Sequence, residues 1–212
     1  MQENFEITTL QELQQLVVTS EKQRKSLEDR LHDHIHQFAA EFIQNSPLLF
    51  MATSGSSGNV DVSPKGDAPG FVNIQDNKTL IVPERIGNTD ARGFRNILTN
   101  NSISLLFIVP KTKEVLRVNG FASLTRDPEL LGRFVSCGKP ALLCIRIDVQ
   151  ECFFHCARAF NRSHLWNTAK WPEGEGKYFQ RYKSNQTGLN EQEFNDVIQN
   201  MLEDLGEENG AF

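Results

Sequence analysis

Large apolar residues recur at helical spacing near the start of the chain. They follow one another at intervals of four, four, three and four, and are Leu27, Leu31, Ile35, Phe38 and Phe42. This spacing places them on one face of a helix. Thr9 and Glu12 have the types and the separation of a capping box at a helix start, and Pro47 would end the helix. The pattern predicts an N-terminal helical arm over residues 1–46, helical from residue 8, in which a break near Thr19–Ser20 is left open. We expect its apolar face to pack across the outside of the domain that follows, or onto a partner subunit.

After Pro47 the apolar period shortens to two, which is typical of half-buried strands. Strand-like runs lie at residues 48–52, 60–65, 71–74, 79–82, 102–109, 115–124 and 141–154, and short helices are predicted at 90–100 and 127–137. We interpret these runs as five or six strands interrupted by two short helices. Without βαβ alternation, they indicate a mainly β, α+β fold: a β-barrel with N- and C-terminal helical decorations. We expect a barrel domain over residues 47–166. Residues 167–212 would add a surface loop (167–190) and a C-terminal helix (191–205) packed on that domain.

The composition narrows the class of protein. The chain has 212 residues, 39% of them hydrophobic and 23% charged, which suits one packed domain with decorations. Its net charge of −5 argues against a nucleic-acid partner, because phosphate binding needs a surplus of Lys and Arg. No apolar run approaches a membrane span of about 18 residues, and the first ten residues lack a signal-peptide pattern. We therefore expect a cytoplasmic protein with no membrane partner, whose four cysteines stay reduced.

The strand around Val62 carries polar side chains on one side. Alternation places Asp61, Ser63 and Lys65 together. A hydroxyl and an ammonium on one face suit an anionic ligand or the edge of a flavin ring. The alternative is a solvated strand end.

A second polar group lies where a strand leads into the predicted helix at 90–100. It consists of Arg85, Asn88, Arg92 and Arg95. Helix N-termini bind anions through their free amides, and arginine adds paired hydrogen bonds to phosphate. The alternative is a basic helix face that makes surface salt bridges.

Two later segments also carry candidate ligand residues. Arg117 and Asn119 share one face of a strand, where they are either solvated or aimed at a ligand. Arg162, Ser163 and Trp166 follow the last strand. Trp166 could stack on an aromatic ligand or pack in the core.

Metal binding and thiol chemistry are not expected. His155 and Cys156 are adjacent, but no CxxC pair completes a zinc site, and a thiol beside a sheet usually belongs to the core. His32, His34 and His36 lie within one predicted helix, and we interpret them as part of its solvated surface. No residue stands out as a catalytic acid or base.

Seven stretches occur in a recognisable order: FMATS, DVSPKGDAPGFV, LIVPERIGN, FRNILTNNSISLLFIVP, LRVNGFASL, GKPALLCIRIDVQECFFHCARA and RSHLW. In this order and spacing they resemble the pyridoxamine 5'-phosphate oxidase-like FMN-binding split-barrel family, over about residues 46–166. The resemblance implies a six-stranded split β-barrel and a homodimer with two FMN sites at the subunit interface.

The resemblance also implies roles for individual residues. The strand ending at Lys65 would lie against the flavin, and the strand carrying Arg117 would face the isoalloxazine ring. Both cations would stabilise negative charge on the reduced ring. The stretch from Arg85 to Arg95 would hold the FMN phosphate. The implied cofactor-binding set is Ser63, Lys65, Arg85, Asn88, Arg92, Arg95, Arg117, Arg162, Ser163 and Trp166.

These features predict an FMN-dependent oxidoreductase that acts on an unidentified small molecule. The alternatives are a non-catalytic flavin- or heme-binding or sensing protein, and an F420-dependent reductase. The family's oxidase grips its substrate phosphate with a Tyr, an Arg and a Ser at intervals of four in the helix after the LRVNG-like strand. Residues 127–137 lack that trio, so oxidation of pyridoxamine 5'-phosphate itself is not expected.

Overall fold

The computed structural model describes residues 6–17, 20, 25–26, 28–85, 90–136, 138–156, 158–173, 178–188 and 190–205. Within them, seven α-helices form: α1 (Leu10–Leu16), α2 (Gln37–Gln44), α3 (Arg92–Thr99), α4 (Pro128–Gly132), α5 (Arg158–Arg162), α6 (Tyr178–Thr187) and α7 (Glu191–Leu205). A short 3₁₀ helix covers Thr168–Lys170. No helix of these residues is both long and apolar enough to cross a membrane.

The strands are β1 (Leu48–Ser54), β2 (Val60–Gly66), β3 (Asn73–Asp76), β4 (Thr79–Glu84), β5 (Ser102–Ile108), β6 (Glu114–Thr125), β7 (Val135–Ser136), β8 (Lys139–Pro140) and β9 (Leu143–Cys156). Seven of them form one antiparallel sheet in the order β2-β1-β5-β6-β9-β4-β3, and β7 pairs with β8 alone. The predicted mainly β, α+β fold is confirmed, with seven strands in the sheet where we expected six.

Alternation within the strands gives the sheet an inner and an outer face. The inner face holds the core and contains the fully buried Leu49, Met51, Leu105, Phe107, Leu116, Val118, Ile145 and Ile147. Ala39 and Ile43 of α2 join the same core. The outer face carries the alternate, less buried residues of β2, β1, β5, β6 and β9.

Two ion pairs link β2 to β4, which are not neighbours in the sheet order. Lys65 in β2 contacts Glu84 in β4 at 2.6 Å, and Asp67, just after β2, contacts Arg85, just after β4, at 2.8 Å. We call these two pairs the β2–β4 seam. Because they join distant members of the sheet order, the sheet must curl until β2 approaches β4.

β6 and β9 are the longest strands, and a β-bulge interrupts their pairing between Asn119 and Gly120. The backbone of β9 approaches Gly120 so closely that a Cβ there would overlap the carbonyl oxygen of Asp148. Glycine is therefore required at this point.

The predicted helix over residues 8–46, for which the pattern leaves open only a break near Thr19–Ser20, is wrong at residues 31–36, which are not helical. Between α1 and α2, His32 exchanges both backbone hydrogen bonds with Cys152 of β9, at 3.0 and 2.7 Å, and the Ile35 amide donates to Asn77 at 2.8 Å. These bonds to the sheet replace the helical ones. The capping box of Thr9 and Glu12 is present at the start of α1.

The residues of the predicted apolar stripe differ in burial for the same reason. Ile35 is buried and Phe42 is partly buried against the core, whereas Leu31 and Phe38 are 46% and 69% exposed. Leu27 lies outside the described residues. Through Ile35 and α2 the arm therefore joins the core on the inner face of the sheet, where we had expected it to pack across the outside of the domain.

Two further boundaries differ from prediction. The helix expected over residues 127–137 ends at Gly132, because the chain enters the β7–β8 hairpin and Phe134 packs near Ile81 and Cys144. The expected loop at 167–190 contains α6, which packs against α7. Residues 178–187 carry few apolar side chains, so the sequence pattern offers little sign of this helix.

Candidate functional site

Lys65 points to the inner face of the sheet. Its side chain is 9% exposed, its Nζ lies 2.6 Å from Glu84 Oε2, and it stands 5.0 Å from the ring centroid of Phe94. Asp61 and Ser63 alternate on the same side of β2 and are half-buried. The ammonium of Lys65 is thus already engaged inside the protein.

Arg85 is also engaged. Its Nε and one terminal nitrogen donate to Asp67 Oδ2 at 2.9 and 2.8 Å, and its other terminal nitrogen donates to the Phe134 carbonyl at 2.7 Å. These bonds tie the end of β4 to the end of β2 and to the segment before β7. Arg85 therefore holds three segments together, which leaves little of its guanidinium for a phosphate.

The start of α3 keeps two exposed arginines. Arg92 lies 3.4 Å from Asp90, and Arg95 makes no ion pair with any residue that the structure describes. The residue before the helix, Ala91, has a left-handed φ of 50° and provides no side-chain cap. The first amides of α3 thus receive no bond from a capping side chain. Asn88, from the same predicted group, lies outside the described residues.

The outer face presents a mostly apolar row around Arg117. Register aligns Pro64, Phe50, Leu106, Arg117 and Phe153 across five neighbouring strands. Arg117 is half-buried, and its guanidinium carbon lies 5.6 Å from the Phe153 ring centroid. Within the described part of the chain, no carboxylate pairs with it.

The adjacent row on this face is polar. The Ser104 hydroxyl donates to Asn119 Oδ1 at 2.7 Å, and Asn119 Nδ2 donates to Glu151 Oε2 at 2.7 Å. All three side chains are half-buried. The sequence pattern points to Asn119 but not to Ser104 or Glu151.

The segment after β9 covers one end of the same face. Trp166 Nε1 donates to the Thr112 carbonyl at 3.2 Å, and its ring packs edge-on against Phe160 at 5.9 Å, next to Ile108 and Val115. Arg162 and Ser163 precede Trp166 and are exposed. The Ser163 hydroxyl donates to the Phe160 carbonyl at 3.1 Å.

The predicted ligand residues are thus divided between two faces. Arg117 and Trp166 lie on the outer face, with Arg162 beside them along the chain. Lys65 lies on the inner face, because Pro64, not Lys65, aligns with the row of Arg117. A single copy of the chain does not gather all the predicted residues around one ligand.

The three histidines near α2 form a cluster, not a solvated helix face. The His32 and His36 rings lie 4.7 Å apart, and His32 and His34 lie 5.7 Å apart. His36 Nδ1 accepts the Ala39 amide at 3.3 Å and so caps α2. Burial, and then the charges of the other two histidines, lower the pKa of His36. Among the described residues, no three metal-ligating side chains are grouped to hold an ion.

Comparison with known proteins identifies the family. The family model for pyridoxamine 5'-phosphate oxidase matches residues 35–156, more than half of the chain. The chain therefore belongs to the pyridoxamine 5'-phosphate oxidase family. The match begins at Ile35 and so includes α2, which the structure places against the core.

Several solved structures are similar in part. HupZ from Group A Streptococcus is 23% identical, covers 58% of this chain and 95% of its own, and has a TM-score of 0.46. General stress protein 26 from Bacillus anthracis is 15% identical, covers 54% and 88%, and has a TM-score of 0.42. HutZ, the heme storage protein from Vibrio cholerae, is 19% identical, covers 57% and 94%, and has a TM-score of 0.39. No curated protein matches the chain.

Proposed function

We propose that this protein binds FMN against the outer face of its sheet, as a homodimer, and works as an FMN-dependent oxidoreductase on an unidentified small molecule. The observation that carries the proposal is Arg117. Its guanidinium is half-buried and has no carboxylate partner in the described chain, so its donors are available to an anionic or strongly polar ligand.

The surroundings of Arg117 suit a planar aromatic ring. Phe50, Leu106 and Phe153 flank it in one cross-strand row and offer apolar contact on both sides. Bound FMN would supply the redox chemistry, since its ring accepts and returns a hydride or electrons. Arg117 would hold the ring by a hydrogen bond and favour the negative charge that the ring gains on reduction.

For the phosphate we propose Arg92 and Arg95, because Arg85 is occupied by Asp67. Arginines and free amides at a helix start favour a phosphate group. α3 packs on the inner side of β1, where Asn96 donates to Thr53 at 3.1 Å. The cations of α3 and Arg117 therefore lie on different sides of the sheet.

A homodimer would bring these groups together. A second copy placed against the outer face could contribute its own α3 or its Arg162 to the ligand beside Arg117. The outer face also exposes apolar side chains suited to such contact: Val60, Val62 and Phe121 are 67%, 60% and 46% exposed.

Absorption spectroscopy of the purified protein, with and without added FMN, tests the proposal. We expect flavin bands, bleached by a suitable reductant and restored by an oxidant substrate. Arg117→Gln should weaken FMN binding by about 10- to 100-fold, the value of a hydrogen bond to a charged group. The matched control is Arg146→Gln, since Arg146 is paired with Asp148 in β9, away from the row of Arg117.

The dimer is tested on the same samples. On dilution, release of FMN, followed by its fluorescence, should track dissociation of the dimer in analytical ultracentrifugation. Failure to bind FMN would overturn the proposal. A Soret band after heme addition would favour a heme-binding protein, and tight uptake of F420 without FMN would favour an F420-dependent reductase.

A further inference from the structure

Glu151 is a half-buried carboxylate beside Arg117 on the outer face, yet the two do not pair. Arg117 is opposite Phe153, and Glu151 is opposite Asn119, so Arg117 and Glu151 are diagonal neighbours in the β6–β9 ladder. Such neighbours have backbones about 7–8 Å apart, within reach of two long side chains. Among the described residues no ion pair joins either of them to another group.

A fixed hydrogen-bond chain orients Glu151. Asn119 must turn its amide nitrogen toward the carboxylate, because its amide oxygen would repel an ionised Glu151. That leaves Asn119 Oδ1 to accept the Ser104 hydroxyl, as observed at 2.7 Å. An ionised carboxylate can accept about four hydrogen bonds, and the described residues supply one to Glu151. The remaining acceptor sites are available to a ligand.

We infer that Arg117 and Glu151 together read the pyrimidine edge of the flavin ring. That edge presents a carbonyl oxygen, C2=O, next to an acidic imide N–H at N3. Arg117 donates to the carbonyl, and Glu151 accepts the N3 hydrogen. The inference rests on the proposed binding of FMN to this face and adds a specificity-determining residue, Glu151, supported by Ser104 and Asn119.

The pairing explains why two opposite charges stand side by side without contact. Each is matched to a separate group of one ligand, one acceptor and one donor. A ligand without an imide N–H would cover the remaining acceptor sites of Glu151 without supplying a donor. Sites built to hydrogen-bond a group discriminate strongly against analogues that lack it. The arrangement thus selects for a pyrimidine-type edge over an apolar macrocycle.

The test compares FMN with 3-methyl-FMN, in which a methyl group replaces the N3 hydrogen, by fluorescence titration of the full-length protein. The unmodified protein should prefer FMN by about 10-fold or more, as expected for a hydrogen bond to a charged group. Glu151→Ala should lower FMN affinity and reduce that preference to about one. Glu151→Gln should do the same, because Asn119 would hold the Gln oxygen and turn its N–H group toward N3–H.

The matched control is Glu114→Gln. Glu114 is exposed, begins β6 and alternates to the side of the strand opposite Arg117, so the same loss of charge there should leave the preference intact. Thermal unfolding checks that each variant is folded. Should Glu151→Ala not fold, Asn119→Ala, which removes the side-chain donor that orients Glu151, must also diminish the preference.

The outcomes separate the two claims. A protein that binds FMN but does not distinguish it from 3-methyl-FMN overturns the role of Glu151 and leaves FMN binding in place. A preference that survives in both Glu151 variants also overturns it. Absence of any FMN binding overturns the proposed function, and this inference with it.

Discussion

Replacing Glu84 by Gln should lower the free energy of unfolding by about 3–5 kcal/mol, because it leaves the Lys65 ammonium buried without a counter-charge. The structure supports a loss of stability typical of a buried ion pair, which is larger than that of an exposed one. The two side chains are 9% and 6% exposed, and their charged atoms are 2.6 Å apart. The pair also bridges β2 and β4, which are not neighbours in the sheet order.

Removing the other partner, by Lys65→Met, should lower the free energy of unfolding by a similar amount, since it leaves the Glu84 carboxylate buried without a counter-charge. Combining Lys65→Met with Glu84→Leu should recover most of the loss, because a buried pair replaced by apolar groups of similar volume is often neutral or stabilising. The unmodified protein, Lys65→Met, the single variant Glu84→Leu and the double variant form a double-mutant cycle, measured by urea unfolding with tryptophan fluorescence. We expect a coupling energy of several kcal/mol.

Lys78 provides the control. It pairs with Asp33 at 2.8 Å, but the side chains are 49% and 75% exposed. Lys78→Met should therefore cost no more than about 1 kcal/mol. A loss below 1 kcal/mol in Glu84→Gln, or additive effects in the cycle, would refute the assignment of the buried pair to stability. If Lys65 instead served the cofactor, Lys65→Met would weaken FMN binding while the free energy of unfolding stayed unchanged.

Three further predictions use other parts of the molecule. The lowered pKa of His36 means that the unfolded chain binds its proton more readily. The stability that neutral His36 contributes is thus present above its ordinary pKa of 6.5 and is lost as the pH falls below that value. His36→Asn keeps a side-chain cap but does not titrate, so the free energy of unfolding by urea should depend less on pH in this range. Gly120→Ala should cost about 1–3 kcal/mol through overlap with the backbone of β9, whereas Gly132→Ala, with open space around it, should not, as thermal unfolding can show. In FMN and riboflavin titrations, Arg95→Ala should weaken the binding of FMN more than that of riboflavin. Arg85→Ala should lower the melting temperature and change the affinities for both ligands equally. A loss of affinity for FMN alone in Arg85→Ala would contradict the role of Arg85 in holding the β2–β4 seam.

Most of the sheet was predictable because alternation is a local property of the chain. The expected strand at residues 102–109 is β5, Ser102–Ile108, and the expected strand at 115–124 is β6, Glu114–Thr125. The N-terminal arm was not predictable in the same way. Its residues have helical spacing, but His32 pairs with β9 across more than a hundred residues of chain, and no local pattern announces such a partner.

Glu151 could not be identified as a candidate ligand residue from the sequence, for a related reason. Buried residues in β9 fall at Ile145, Ile147 and Val149, and then at Cys152, so the alternation changes phase near the bulge. Strict alternation through the whole strand would place Glu151 with the buried residues. Only the pairing with β6 shows that one residue is skipped and that Glu151 shares the outer face with Arg117.

The placement of Lys65 and Arg117 on opposite faces of the sheet was also not predictable from local sequence. Alternation correctly separates the two sides of each strand, but it does not say which side of one strand joins which side of another. That is decided by register, where a shift of one residue exchanges the faces. Here Pro64 aligns with Phe50 and, through Leu106, with Arg117, so Lys65 turns inward to Glu84. Within one copy, the charges that the described residues place at the proposed ring site are then Arg117 and Glu151. We expect a further cation for the proposed FMN to come from the segment around Arg162 or from a second copy.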